Sequence, residues 1–396
     1  MTMMKFLKLF FLLLIIVFGK LQAQQASILP GAYRISEYLP LLQKKKVALV
    51  INQTSALKNT LLLDTLLHSK VHVTKIFVPE HGFRGTADAG AHIKNDTDSA
   101  TGLQVISLYG NNKKLKAEQL QNIDVVVFDL QDVGARFYTY ISTLQYVMEA
   151  CAENNKTLIV LDRPNPNGHY IDGPVLEKTQ RSFVGMQAVP VVYGMTIGEY
   201  ALMLKGEKWF SDAEKLQLKV ITCENYDHTT LYKLPIAPSP NLKEMNAVYL
   251  YPSLCFFEGT AISVGRGTDK PFEQWGNPLF KKEFSYSFLP KSTLGATKPL
   301  FENERCFGEI LKSKWINTTQ ATGGQLDLSY LIKAYNAYPE KEKFFNNFFE
   351  KLAGTAALRQ QIISGKTEAE IRDSWKDAIN AFKKTRRKYL LYKDFE

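Results

Sequence analysis

Glu80, His81 and Arg84 fall together in the stretch Lys75-Ile-Phe-Val-Pro-Glu-His-Gly-Phe-Arg-Gly85. A carboxyl group, an imidazole and a guanidinium at such close spacing can move a proton and hold an anion. Three more polar clusters recur along the first half of the chain. They are Asn52-Gln53; Asp129, Gln131, Asp132 and Arg136; and Asp162, Arg163, Asn165 and Asn167. Each cluster comes directly after a run of apolar residues.

Those runs must position the clusters. Val71, Val73, Ile76, Phe77 and Val78 are β-branched or aromatic and predict a buried strand, which Pro79 stops because it has no N–H for a ladder. The stretches 46–55 (which ends in polar residues), 105–109, 124–130, 157–161 and 218–222 read the same way. Helical apolar spacing occupies 59–69, 115–121 and 141–154 between them, and Thr196-Ile-Gly-Glu199 opens a further helix with a capping box. Strands alternating with helices predict right-handed βαβ units and a doubly wound parallel sheet. In such a sheet ligands bind at the carboxyl ends of the strands, so the four clusters converge on one rim and describe a polar pocket.

The missing motifs narrow the chemistry. There is no Gly-x-Gly-x-x-Gly after a first strand and no Gly-x-x-x-x-Gly-Lys-Ser/Thr, which removes dinucleotide and P-loop binding. No Gly-x-Ser-x-Gly elbow and no His-Glu-x-x-His is present, so neither an ordinary α/β-hydrolase nucleophile nor a zincin site is supported. Nothing in the spacing of Glu80, His81, Asp129 and Asp132 demands a metal, and no cofactor is expected. Carboxylate chemistry in an aromatic groove remains. Glycoside hydrolysis uses one carboxylic acid to protonate the leaving oxygen and a second group to attack or to activate water. Glu80 is the candidate acid, with His81 beside it a further catalytic candidate and Asp132 or Glu258 the candidate second group. Tyr138, Tyr140, Tyr193, Phe272 and Trp275 could stack on a sugar ring.

Bulk properties bound the setting. Lys5 and Lys8 precede the apolar run 10–18, and Leu21-Gln-Ala23 ends in a small residue, the pattern of an export signal whose mature chain starts near Gln24. A periplasmic or secreted protein without a membrane span is expected. The formal charge of +10 falls to 10 − 3 = +7 once Lys5, Lys8 and Lys20 are removed. The remaining positive residues are scattered, and the cluster Lys383-Lys-Thr-Arg-Arg-Lys388 reads as a solvated helix face, so nucleic acid is not an expected partner. Mild basicity suits an anionic polymer such as cell wall. Four well-separated cysteines give neither a zinc pattern nor a disulfide framework. The Pro-rich run 234–242 divides the chain, and the length suggests two domains each with its own core. The second part is glycine-punctuated and aromatic at first. Helices then follow over 326–338 and 341–353 and from the capping box Thr367-Glu-Ala-Glu370.

Long ordered motifs carry a resemblance. Pro79-Glu-His-Gly-Phe-Arg-Gly85, Phe128-Asp-Leu-Gln-Asp-Val-Gly-Ala-Arg-Phe-Tyr-Thr-Tyr140, Leu161-Asp-Arg-Pro-Asn-Pro166, Asp172-Gly-Pro174 and Tyr193-Gly-Met-Thr-Ile-Gly-Glu199 resemble the NamZ-type exo-β-N-acetylmuramidases. Pro238-Ser-Pro-Asn-Leu242, Phe257-Glu-Gly-Thr260, Gly265-Arg-Gly-Thr-Asp269 and Arg386-Arg-Lys-Tyr-Leu-Leu-Tyr392 extend the likeness over nearly the whole mature chain. The resemblance implies a Rossmann-like domain (24–235) followed by an α+β domain (236–396), with the active cleft between them. It also implies release of terminal N-acetylmuramic acid from the non-reducing end of peptidoglycan-derived saccharides, with Glu80 catalytic. Candidate substrate-binding residues are Arg84, Asp129, Gln131, Arg136, Tyr138, Tyr140, Arg163, Asn165, Tyr193, Asn241, Arg266 and Thr268. Among them Arg84, Arg136 or Arg266 is expected to meet the lactyl carboxylate that distinguishes muramic acid from glucosamine. The rival readings are a non-catalytic wall-binding protein with the same groove and an amidase acting on stem peptides.

Overall fold

A computed structural model describes residues 27–84, 88, 96–110, 112–316, 318, 320–321 and 323–396. The expected export signal, 1–23, lies outside the described residues, as does Gly85. In chain order the first strands are β1 (Lys46–Ile51), the small hairpin β2 (Ala56–Leu57) and β3 (Thr60–Leu61), β4 (His72–Val78), β5 (Asp96–Thr97), β6 (Gln104–Ser107), β7 (Val125–Asp129), β8 (Thr157–Leu161) and β9 (Gln217–Ile221). Seven of them form one sheet in the order β5-β6-β4-β1-β7-β8-β9. All neighbours are parallel except β5 against β6. Helices cover both faces, so the central strands bury both sets of side chains. That is why β1 and β7 read as unbroken apolar runs and not as alternating ones.

The order places the chain's reversal between β1 and β7. After β1 the chain builds outward through β4 to β6, then returns to the other side of β1 as β7. The carboxyl ends beside such a reversal diverge and leave a crevice, and Glu80 follows β4 directly at that rim.

The apolar interior divides by sheet face. On one face, helices Ile35–Leu42 and Leu62–His68 pack against Val47, Leu49, Ile51, Ile76 and Val78. On the other, helices Tyr140–Glu153 and Ile197–Gly206 pack against Ala48, Val50, Phe77 and Phe128. That second core runs on without interruption through Leu242, Tyr251, Phe272 and Trp275 to Phe382. One apolar cluster therefore reaches across both parts of the chain. The later part adds an antiparallel sheet, β10 (Gln274–Asn277), β11 (Tyr286–Phe288) and β12 (Cys306–Ile310) in the order β10-β12-β11, with helices around it.

Local signals hold closely in most places. Thr196 and Thr367 each accept from the N–H of the glutamate three residues on, and that glutamate caps back. Two helical expectations shrink. The segment 115–121 forms only a 3₁₀ turn, Ala117–Leu120. The segment 341–353 splits into the turn Lys341–Lys343 and the helix Phe349–Ala353. Asn346 explains the split: its Oδ1 accepts from Phe348 N at 2.8 Å and its N–H donates to Gly259 O at 2.9 Å, so both leave the helical ladder. The four cysteines are free and buried. No helix among the described residues is long and apolar enough to cross a membrane.

Candidate active site

Pro79 releases the chain from β4 into a tight turn in which Gly82 N donates to Pro79 O at 3.1 Å. His81 has φ +72° and Gly82 φ +74°. A left-handed conformation is costly for histidine, which has no glycine freedom, so the surroundings must hold it there. The turn carries Glu80 and His81 to the wall of a cavity of about 280 Å³. Glu80 is half-buried, and its Oε2 accepts a hydrogen bond from Thr139 Oγ1 at 2.9 Å. Tyr109, just past β6, also reaches this carboxylate. Burial first, then the charge of Glu80 and a hydrogen bond to it, push the Tyr109 phenol well above its ordinary range. Sequence reasoning missed both hydroxyls. Their signal was positional, since Tyr109 follows the strand next to β4 by two residues and Thr139 lies near the end of the motif after β7.

The second part of the chain supplies the opposite lining. The run 234–242 is fastened across the rim because Pro238 O accepts from Tyr138 Oη at 2.7 Å and from Gln53 Nε2 at 3.3 Å. Ser239 and Leu242 thereby become cavity wall, followed by Tyr251, Cys255, Glu258, Arg266 and Phe272. Glu258 accepts from Arg266 Nε at 2.6 Å, and Cys255 Sγ lies 3.6 Å from its other oxygen. Burial opposes charge on Arg266, but Glu258 beside it more than compensates and holds its pKa above the ordinary arginine value. Burial pushes the Cys255 thiol far up, so it is a neutral wall group.

Only part of the expected rim opens here. Glu80, His81, Tyr138, Glu258, Arg266 and Phe272 line the cavity. The structure corrects the placement of several others. Arg136 is wholly buried: Nη1 donates to the carbonyls of Pro174 and Val189, and Nη2 to those of Leu352 and Ala353, at 2.8–2.9 Å. Burial lowers its pKa to about 9. It ties the two parts of the chain together and presents no free edge to a ligand. Asp129 is sealed under the sheet end, paired through Oδ2 with Arg163 Nη2 at 2.8 Å. Gln131 donates to the carbonyls of Asp132 and Pro164, and Asn165 to that of Met195.

Asp132 is buried and accepts from Gly134 N at 2.7 Å and from the Tyr193 hydroxyl. Burial raises its carboxyl to about 6 against those donors. It does not line the cavity, whereas Glu258 does. Tyr140, Tyr193 and Trp275 are core residues, with Tyr140 Oη accepting from Asn52 Nδ2 at 2.7 Å and Trp275 stacked on Phe257. Asn241 is buried and donates to Gly295 O at 2.8 Å, while Thr268 braces the loop beside Arg266. Arg84 is 65% exposed and lies 3.6 Å from Asp98, outside the cavity lining. Among the described residues no three His, Cys, Asp or Glu side chains converge as a metal would require.

A Rossmann-like sheet with a small cavity at its strand ends, walled by a second part and bearing two carboxylates, is an arrangement suited to sugar-bond hydrolysis. Comparison with known proteins agrees. Residues 47–246 match the family model described as exo-beta-N-acetylmuramidase NamZ, N-terminal, and residues 249–392 match the C-terminal one. The peptidoglycan beta-N-acetylmuramidase NamZ of Bacillus subtilis (strain 168) is 38% identical over 379 residues, covering 90% of this chain and 89% of that protein. Crystal structures of two DUF1343 family proteins from Bacteroides fragilis are also similar. One has TM-score 0.84 at 42% identity, covering 93% of this chain and 100% of the other; the second has 0.77 at 29%, covering 92% and 99%. The chain belongs to the NamZ family of exo-β-N-acetylmuramidases.

Proposed function

We propose that the protein is an exo-acting glycoside hydrolase that removes N-acetylmuramic acid from the non-reducing end of peptidoglycan fragments, with Glu80 as general acid/base. The observation that carries this reading is Glu80 on the cavity wall with Thr139 donating to its Oε2 at 2.9 Å, while Glu258 lines the same cavity. Cleaving a glycosidic bond needs a proton delivered to the departing oxygen and negative charge near the oxocarbenium-like centre. Glu80 supplies the proton and recovers it from water. Glu258, held by Arg266, provides the second carboxylate. Tyr138 and Phe272 offer aromatic surface to the ring. At about 280 Å³ the cavity is at the small end of ligand sites, which suits a terminal sugar better than a threaded strand. Residues 1–23 act as a cleaved export signal, placing the enzyme in the periplasm or outside the cell, where wall fragments occur.

Product analysis tests the reading. Incubation with a disaccharide bearing muramic acid at its non-reducing end, and with a muropeptide mixture, should liberate free N-acetylmuramic acid, detected by mass spectrometry. Release of stem peptide with the sugars still joined would replace the glycosidase with an amidase.

A further inference from the structure

Of the three arginines that the sequence offers as carboxylate readers, one alone lines the cavity. Arg136 has its terminal nitrogens on four main-chain carbonyls, and Arg84 sits out in solvent beside Asp98. Arg266 is different, and the loop that carries it is built to fix it. Gly265 and Gly267 on either side have φ +77° and +80°. A Cβ at the first would lie 2.6 Å from the Gln274 side chain, and at the second 2.5 Å from Lys291 O, so neither position admits another residue without displacement. Thr268 Oγ1 donates to Gly265 O at 2.6 Å and accepts from Gln274 Nε2 at 2.7 Å, and Gln274 Oε1 in turn accepts from Tyr286 Oη at 2.6 Å. The loop is thus braced by a chain of side-chain hydrogen bonds running to β11.

The guanidinium itself is held on two sides. Glu258 takes its Nε edge at 2.6 Å, and the Phe272 ring lies against its face at 4.9 Å from the centroid. Its Nη1 is buried and has no hydrogen-bond partner among the described residues. A buried donor without an acceptor is costly, and a ligand oxygen would remove that cost. The Nη1–Nη2 edge is the one left for a planar two-oxygen group, the geometry that a guanidinium matches best. Glu258 and Arg266 neutralise each other, so the cavity does not attract anions indiscriminately. What it offers is one oriented edge.

We infer that Arg266 selects muramic acid over glucosamine by pairing its Nη edge with the lactyl carboxylate at O3 of the sugar, an inference that rests on the muramidase reading above. Glu258 positions the guanidinium for this, in addition to its own place on the cavity.

Calorimetric titration of the full chain with free N-acetylmuramic acid and free N-acetylglucosamine tests it. The unmodified protein should prefer the muramic sugar by roughly tenfold to a hundredfold, the usual yield of a charged hydrogen-bonded contact. Arg266→Gln should bring the two affinities within about threefold by weakening only the muramic sugar, and Arg266→Lys, which keeps a point charge without the planar fork, should fall between. An Arg266→Gln protein that melts normally and keeps the full preference overturns the inference, as does an unmodified protein with no preference. The two failures separate cleanly. If the unmodified protein frees muramic acid from the disaccharide but Arg266→Gln keeps the preference, only the arginine's role is lost. If no muramic acid is freed, the muramidase reading itself falls.

Discussion

The strand ends of this sheet carry similar polar residues but come to opposite uses. At the ends of β4 and β6, Glu80 and Tyr109 face a cavity. At the ends of β7 and β8, Asp129, Asp132, Asp162 and Arg163 are almost wholly buried. The difference is in what lies on top. Over Asp162 the C-terminal tail closes down: Tyr392 Oη donates to its Oδ2 at 2.5 Å, Leu391 N donates to Glu199 Oε1 at 2.8 Å, and Arg386 grips Asp394 through two hydrogen bonds of 2.7 Å. Thr196 Oγ1 and Gly198 N complete the shell of Asp162. The carboxylate there caps a helix and anchors a terminus. Over Glu80 the crossover run and the second part stand back, and the same kind of residue lines a cavity. Acid groups at a strand end are therefore not a site until something leaves them uncovered.

The sharpest way to break this comparison is at the open end. Glu80→Gln keeps shape and hydrogen-bonding capacity but has no proton to give, so turnover should fall by about a thousandfold while the melting temperature stays put. Near-normal release of muramic acid by that variant would end the assignment. At the closed end the expectation inverts. Arg136→Met strips donors from four buried carbonyls and should cost at least about 3 kcal/mol in denaturant unfolding. An unchanged unfolding midpoint would mean the guanidinium does not lock the two parts together.

Asp132 gives a pH signature of the closed end. Its carboxyl, raised to about 6 by burial from an ordinary 3.8, binds its proton more tightly when folded. That contribution to stability is fully present below about pH 4 and is lost as pH rises through 6. Asp132→Asn, neutral throughout, should flatten the fall, with the unmodified protein losing up to about 3 kcal/mol relative to it between pH 4 and 7. Melting curves across that range check the sign, and a parallel pair would show that Asp132 binds its proton no more tightly folded than unfolded. The smallest effect returns to the open end. Thr139→Val removes the hydroxyl that holds Glu80 and should lower kcat about tenfold without changing stability. If kcat is unaltered, the hydroxyl does not act on Glu80 during turnover.

Much of the framework was readable from residue types alone. Every long strand of the main sheet was marked by β-branched and aromatic runs, and Thr196 and Thr367 announced their helices by spacing alone. Glu80 was found because Pro79 ends β4 just before it. What could not be read was which polar groups face inward. Arg136 looked like an anion binder, yet its partners Leu352 and Ala353 lie 216 and 217 residues away. Tyr392 reaches Asp162 across 230 residues.

Residue types determined the parallel strands, their helices and the acid just after β4, because strand preference, capping and turn formation act over a few neighbouring positions. Tertiary structure alone decided that Glu258 and Arg266 line the cavity with Glu80, while Asp132 and Arg136 are buried away from it. Burial is set by whichever distant segment packs against a side chain, and no local pattern records that.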